Sequence, residues 1–243
     1  MTKPKAANTT CFFARSRILN RFMATTGLAL LVWLMSTAAA VGNTQEPPSA
    51  SWVLQKLEKR YDCEGFSARF EQISTLKAME ITDTASGKAY FKRPGKMRWV
   101  YEKPNPQKIV TNGKKLWIYK PRENQVMVGK APAIFGEGQG VNFLSGIKKF
   151  KKNYEFSLAQ DRQQKNCYVL KLIPLKETLD LSAMYIYISK KDFKLAQIET
   201  VNPYDDTTII TFDNINLNRH FADDFFTFQI PVDADVVDLN HRN

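Results

Sequence analysis

The feature that most constrains this sequence is the stretch 87–119, in which apolar and polar residues alternate in three successive runs. A period of two is typical of strands with one buried face and one solvated face. Short clusters of breaker residues separate the runs: Arg93-Pro94-Gly95, Pro104-Asn105-Pro106 and Asn112-Gly113. Such short breaks join consecutive antiparallel strands. The stretch therefore predicts an antiparallel sheet with one apolar face, and something must cover or fill that face.

The N-terminus is typical of an export signal. Residues 1–40 combine a basic head, an apolar run over 23–35 and a small-residue end at Ala38-Ala39-Ala40. We expect a signal peptide cleaved after Ala40. The alternative is an uncleaved anchor over 23–41, which is just long enough to cross a bilayer. No cysteine lies directly after the apolar run, so lipid attachment at a new N-terminus is not indicated.

The rest of the chain predicts one domain. Residues 41–50 form a flexible lead-in, and residues 51–243 are enough for a single domain with its own core. The sequence is 44% hydrophobic and 12% aromatic, which excludes disorder. Residues 1–40 hold five of the 35 basic residues and none of the 24 acidic ones, so the remainder carries 30 basic against 24 acidic residues, a formal charge of +6. This moderate excess is typical of an ordinary exported surface.

Periodicity divides the chain into one helix, many strands and one irregular segment. Val53, Leu54, Leu57 and Tyr61 have helical spacing after a capping Ser49 or Ser51. Alternation begins at Phe66 and resumes after residue 153 in five runs over 154–159, 167–173, 183–189, 195–201 and 207–215. Sequential strands without intervening helices favour one large curved antiparallel sheet or open barrel. Between them, residues 131–150 hold four glycines and an amphipathic helical set, and we interpret this segment as a movable cover.

The residues offer few parts for catalysis. There are two histidines, His220 and His241, and no P-loop, GxGxxG, HExxH or GxSxG motif. A Cys63 or Cys167 nucleophile with His220 stays an alternative, as in a periplasmic hydrolase, although apolar surroundings raise a thiol pKa. The carboxylate pairs Asp205-Asp206 and Asp223-Asp224 are interpreted as turn or cap residues. We predict no enzyme activity, no catalytic or metal site, no cofactor and no nucleic-acid ligand.

Two cysteines, Cys63 and Cys167, follow the signal segment. In an oxidising compartment an even pair predicts a disulfide, which by loop entropy would stabilise the fold by about 3–5 kcal/mol. Two buried free thiols are the alternative.

Ordered motifs along the chain resemble a known family. They run from Phe66-Ser67-Ala68-Arg69-Phe70-Glu71-Gln72 through Phe91-Lys92-Arg93-Pro94-Gly95-Lys96-Met97-Arg98-Trp99 to Leu116-Trp117-Ile118-Tyr119 and Phe226-Thr227-Phe228-Gln229-Ile230-Pro231. This series resembles the periplasmic lipoprotein carriers of the Lol system, over nearly all of the chain after residue 50. The resemblance implies an incomplete, mainly β barrel with helices forming a lid over an apolar cavity.

The resemblance also implies partners. The expected cargo is triacylated lipoproteins, received from an inner-membrane lipoprotein-releasing ABC transporter and delivered by a monomeric periplasmic carrier to an outer-membrane receptor. The alternative is a lipid-binding envelope regulatory or sensing domain of the same fold that passes nothing on.

Site residues follow from the same resemblance. The resemblance implies that Arg93, which precedes Pro94-Gly95, acts as a clasp: its side chain would bond to lid backbone and hold the cavity shut. Met97 departs from the family, which commonly places an aromatic residue there. The expected acyl-chain cavity is lined by Phe70, Met97, Trp99, Tyr101, Leu116, Ile118, Val141, Leu144 and Ile147. For each of these residues, an ordinary filled core is the alternative.

Overall fold

The computed structural model describes residues 48–131 and 152–240. One α-helix, α1 (Ala50–Arg60), precedes the sheet. Ser49 caps it, since its hydroxyl accepts a hydrogen bond from the Trp52 amide at 3.2 Å. Val53, Leu54 and Leu57 are buried on one helix face, as the spacing predicts.

The predicted signal peptide, with Ala40, lies outside the described residues. No helix within the described ranges is long and apolar enough to cross a membrane.

Twelve strands follow α1 within the described ranges. They are β1 (Gly65–Leu76), β2 (Ile81–Lys92), β3 (Lys96–Lys103), β4 (Gln107–Thr111), β5 (Lys115–Lys120), β6 (Gln125–Lys130), β7 (Tyr154–Leu158), β8 (Cys167–Pro174), β9 (Ala183–Ser189), β10 (Leu195–Val201), β11 (Thr207–Asn216) and β12 (Asp235–Asp238). Short 3-10 helices lie at Lys77–Met79, Pro121–Glu123 and Asp223–Phe226.

All twelve strands form one sheet in the order β12-β6-β5-β4-β3-β2-β1-β11-β10-β9-β8-β7. The sheet does not close, because β12 and β7 are its two ends. Consecutive strands pair antiparallel within β1–β6 and within β7–β11, and β1 pairs antiparallel with β11 to join the two halves of the meander. The prediction of a mainly β, open sheet is confirmed. One pair differs from the expected antiparallel pattern: β12 runs parallel to β6.

Alternation gives the sheet two faces with separate hydrophobic clusters. The large inner cluster joins α1 to inward residues of β1, β2, β3, β5, β8, β9, β10 and β11. Two smaller clusters lie on the other face, one around Trp117 and Val126 and one around Val169, Tyr185 and Tyr187. The inner cluster is therefore the main core, and α1, which packs against β7 and β8, covers part of it.

Candidate functional site

Six of the nine predicted cavity residues lie in the described part of the chain, and the structure brings all six together in the inner cluster. Strand β1 contributes one, β3 three and β5 two, and these strands place them on the same face of the sheet. Four are buried, namely Phe70, Met97, Trp99 and Leu116, and two are half-buried, namely Tyr101 and Ile118. The other three, Val141, Leu144 and Ile147, lie outside the described residues.

Aromatic contacts organise this face. The Phe70 ring lies 4.7 Å from the Trp99 ring and 4.9 Å from the Tyr101 ring, both edge-on. Phe91, which was not among the predicted residues, is buried and lies 5.7 Å from Trp99. Period-two alternation in β2 was the signal that could have identified it. The contacts therefore join these side chains into one continuous, packed apolar cluster rather than a set of isolated side chains.

Two polar atoms lie within this apolar surface. The Tyr101 hydroxyl donates to the Gln72 side chain at 3.0 Å, and burial raises the pKa of Tyr101 to about 12. The Trp99 indole nitrogen is buried, and no hydrogen-bond partner for it is found within 48–131 or 152–240. A buried donor without a partner costs roughly 1–3 kcal/mol. Trp99 thus holds a buried donor for which the described residues supply no acceptor.

Arg93 directly follows β2 and reaches the C-terminal end of α1. Its guanidinium donates to the Tyr61 carbonyl at 2.6 Å and to the Asp62 carboxylate at 3.0 Å. Its own amide donates to the Glu64 carbonyl at 2.9 Å. A planar guanidinium can make two such bonds from fixed positions, which a lysine cannot. Arg93 therefore fastens the end of α1 to the β2–β3 turn. The predicted lid segment 131–150 lies outside the described residues except for Ala131. A bond from Arg93 to the backbone of that segment stays a prediction.

Tyr61, the C-cap residue of α1, has a second attachment. Its side chain is buried, and its hydroxyl accepts a hydrogen bond from the Leu195 amide at the start of β10, at 3.1 Å. Burial raises the pKa of Tyr61, so the phenol stays protonated. The sequence spacing identified Tyr61 as a helix residue but gave no sign of this contact, which spans 134 positions. One residue thus joins Arg93 to β10.

The predicted disulfide is wrong, because the structure holds Cys63 and Cys167 as free thiols. Cys63 packs against the inner cluster and Cys167 against a cluster on the other face. The sheet lies between them. Alternation in β8 was the available signal, since Tyr168 and Leu170 point inward and Cys167 therefore points outward.

The alternative of a thiol nucleophile finds no support in the geometry. The Cys63 thiol donates to the Gly65 carbonyl at 3.5 Å, while His220 bonds Glu64 at 2.9 Å. Burial raises the pKa of the Cys167 thiol, which makes it a poorer nucleophile. Among the described residues, no group of three or more metal-ligating side chains is found.

The acidic pairs have structural contacts. Asp206 accepts a hydrogen bond from the Lys77 amide at 2.8 Å and so ties two adjacent loops together. Asp223 bonds Lys92 at 2.8 Å and Lys96 at 2.7 Å, and these bonds lower its pKa to about 2. Asp223 thereby attaches the C-terminal segment to the β2–β3 hairpin. The sequence interpretation of turn or cap residues did not include these ion pairs.

Comparison with known sequences identifies relatives over most of the chain. The family model for "Outer membrane lipoprotein carrier protein LolA" matches residues 62–229. The outer-membrane lipoprotein carrier protein of Nitrosospira multiformis is 31% identical over 170 residues, covering 70% of this chain and 80% of that protein. That of Pseudomonas paraeruginosa is 24% identical over 211 residues, covering 86% and 99%. The predicted resemblance is confirmed.

Comparison with solved structures identifies the same fold. A conserved protein from Thermus thermophilus superposes with a TM-score of 0.52 at 15% identity, covering 78% of this chain and 98% of that one. A LolA-superfamily protein from Nitrosomonas europaea has a TM-score of 0.42 at 14% identity, covering 74% and 98%.

Proposed function

Since this chain belongs to the family of outer-membrane lipoprotein carrier proteins, we propose that it carries lipoproteins across the periplasm with their acyl chains held against the inner face of its sheet. The family is one of carriers rather than enzymes. The observation that carries the proposal is the convergence of Phe70, Met97, Trp99, Leu116 and their neighbours on one continuous apolar face. Acyl chains need an apolar surface of this kind and no catalytic groups.

Free-energy magnitudes determine how such a carrier works. Burying one methylene is worth about 0.8 kcal/mol, so exposing a chain of ~16 carbons to water costs roughly 13 kcal/mol. Release through solvent is too slow to serve transport at that cost. The acyl chains must therefore pass directly from one apolar site to the next while the two proteins are docked.

In this proposal, α1 is the part of the carrier that moves when acyl chains enter. Arg93 holds the helix end by two hydrogen bonds, and each bond contributes only a small net free energy. Insertion of acyl chains against the inner face can break such bonds, because the ligand binds the open form better than the closed form. The carrier itself then needs no nucleotide.

The proposed partners follow from this mechanism. The cargo is a triacylated lipoprotein, the donor is an inner-membrane lipoprotein-releasing ABC transporter, and the acceptor is an outer-membrane lipoprotein receptor. Export by the signal peptide, cleaved near Ala40, would place the carrier between the two membranes.

Native mass spectrometry of the mature protein tests the proposal. The protein is mixed with a triacylated lipoprotein in detergent, the detergent is removed, and the complex is presented to membranes bearing the receptor. We expect a soluble one-to-one complex that loses its cargo to those membranes. The same lipoprotein without its acyl groups is the control and should form no complex. A well-folded protein that forms no complex with the acylated form would overturn the proposal, and binding without transfer would indicate the regulatory alternative.

A further inference from the structure

The sheet separates locally between β10 and β11. Their ladder runs from Val201 opposite Thr207 to Gln197 opposite Thr211 and ends there. Beyond that point β11 continues to pair with β1 through Asn216, while Leu195 pairs with β9. Beyond this point, therefore, β10 stays paired with β9 and β11 stays paired with β1, but β10 and β11 are not paired with each other.

Two β-bulges accompany this separation. Between Leu195 and Gln197 two steps of β10 oppose one step of β9, so Ala196 is the extra residue. Between Asp213 and Asn216 three steps of β11 oppose two of β1, and Asn214 in this segment has a φ of 46°. A bulge bends its strand and sharpens its twist, and bulges are frequent beside functional sites. Here the bulges lie on the two strands that move apart.

The separation leaves a cleft of about 450 Å³, a size within the range of ligand sites. Leu195 and Phe212 contribute apolar walls, and both belong to the inner cluster. The Phe212 ring lies 6.1 Å from Trp99. The polar and charged lining residues are Ser189, Asp192, Lys194, Asp213, Asn214 and Asn216. The lining of the cleft therefore combines polar side chains with two residues of the inner cluster.

The charges of the lining favour an uncharged ligand. Asp192 and Lys194 form an ion pair at 3.5 Å, and Asp213 adds a further carboxylate. A phosphate or a free fatty-acid carboxylate would meet this excess of negative charge. An ester-linked glyceryl group is neutral, polar at one end and continuous with acyl chains at the other.

We propose that the cleft between β10 and β11 binds the glyceryl ester junction of a diacylglyceryl group and directs its acyl chains to the inner cluster. This inference rests on the proposed carrier function and assigns its ligand a point of entry. Tyr61 connects that entry to the helix fastening, because its hydroxyl bonds Leu195 on the cleft wall while its carbonyl bonds Arg93.

Photo-crosslinking tests the location. A benzophenone amino acid replaces Asn216, which is exposed and lines the cleft, and in a control protein it replaces Asn105, an exposed asparagine in the β3–β4 turn. The probes are a synthetic triacylated lipopeptide and diacylglycerol in phosphatidylcholine vesicles. We expect at least tenfold more crosslinking from position 216 than from position 105. Crosslinking by the lipopeptide alone would identify the cargo as the source of the glyceryl ester, and crosslinking by both probes would extend the site to membrane lipid.

A pair of substitutions tests whether lipopeptide binding requires the open volume of the cleft. Ala196→Phe fills the cleft, whereas Ala183→Phe adds the same group to another half-buried alanine packed on the same outer cluster. We expect lipopeptide affinity to fall about tenfold in A196F relative to A183F, with circular dichroism confirming that both fold. If A196F does not fold, the crosslinking comparison alone decides.

The outcomes separate the two proposals. A wild-type protein that binds no lipopeptide would overturn the carrier function itself. Normal lipopeptide binding with equal affinities in both alanine variants, or with equal crosslinking at positions 216 and 105, would overturn only the assignment of the cleft.

Discussion

The fastening of α1 by Arg93 predicts a measurable change in local opening when that side chain is replaced. A charge-assisted hydrogen bond contributes roughly 1.5–3 kcal/mol, and the bond to the Tyr61 carbonyl is of this type. The ion pair with Asp62 contributes about 0.5 kcal/mol, because that carboxylate is 75% exposed. The Arg93 side chain is itself 36% exposed, so we take the lower end of the first range. Arg93→Leu should therefore cost about 2 kcal/mol in local stability, or about 30-fold in the opening equilibrium.

Two further variants divide this free energy between its parts. Asp62→Asn removes the ion pair alone and should change the opening equilibrium only about twofold. Arg93→Lys keeps the charge but cannot make both bonds, and its effect should lie between the other two, about fivefold. The order of the three variants is a stricter test than the size of any one of them.

Hydrogen exchange measures the opening directly. The Tyr61 amide, which donates to the Leu57 carbonyl in the last turn of α1, reports the helix end. The Ile186 amide lies in β9, a buried strand that is paired on both sides, so it reports global unfolding and should keep its protection in all three variants. In a transfer assay, Arg93→Leu should also slow release to the receptor, since it favours the open form.

Equal protection of Tyr61 in wild type and Arg93→Leu would refute the reasoning, since it would mean that the two bonds contribute nothing to closure. A loss in Asp62→Asn as large as that in Arg93→Leu would show that the ion pair, and not the carbonyl bond, carries the effect.

Three other predictions concern the C-terminal segment and the cysteines. Phe226→Ala should lower the free energy of unfolding in urea by about 3–5 kcal/mol because that ring is fully buried, whereas the fully exposed Val232→Ala should change it by less than about 0.5 kcal/mol. Asp223 has its pKa lowered from 3.8 to about 2 by its lysine partners, so its stabilising contribution is present above pH 4 and is lost as pH falls toward 2. Asp223→Asn should weaken this acid dependence in pH-resolved denaturation, and an unchanged pH profile would contradict it. The denatured mature protein should titrate two thiols, Cys63 and Cys167, without reductant, and a count of zero would restore the disulfide.

Much of the sheet could be predicted because period-two alternation is a local property. The runs predicted at 167–173 and 183–189 correspond to Cys167–Pro174 and Ala183–Ser189. β12 could not be predicted, because all four of its residues are exposed and its pairing with β6 joins positions about 110 apart. Strands that bury nothing leave no hydrophobic signature in a sequence.

The candidate site was predictable in part for the same reason. Alternation places Met97, Trp99 and Tyr101 on one face, and the structure has them there. It cannot give the partners of Arg93, because a helix end and a turn 31 positions apart meet only after the sheet has formed. Nor can it locate the separation of β10 from β11, since Ala196 and Asn214 are ordinary strand residues until a bulge shifts their register.

β12, the parallel edge strand, affects whether copies of this protein can pair through the ends of their sheets. An open sheet leaves unpaired backbone groups at its ends, and such edges recruit further strands and start aggregation. β12 is only four residues long, and Asp235 and Asp238 place a carboxylate at each of its ends. A second copy that added its own β12 there would bring like charges together along a very short ladder. We therefore infer that β12 protects this edge of the sheet from pairing with a second copy of the protein.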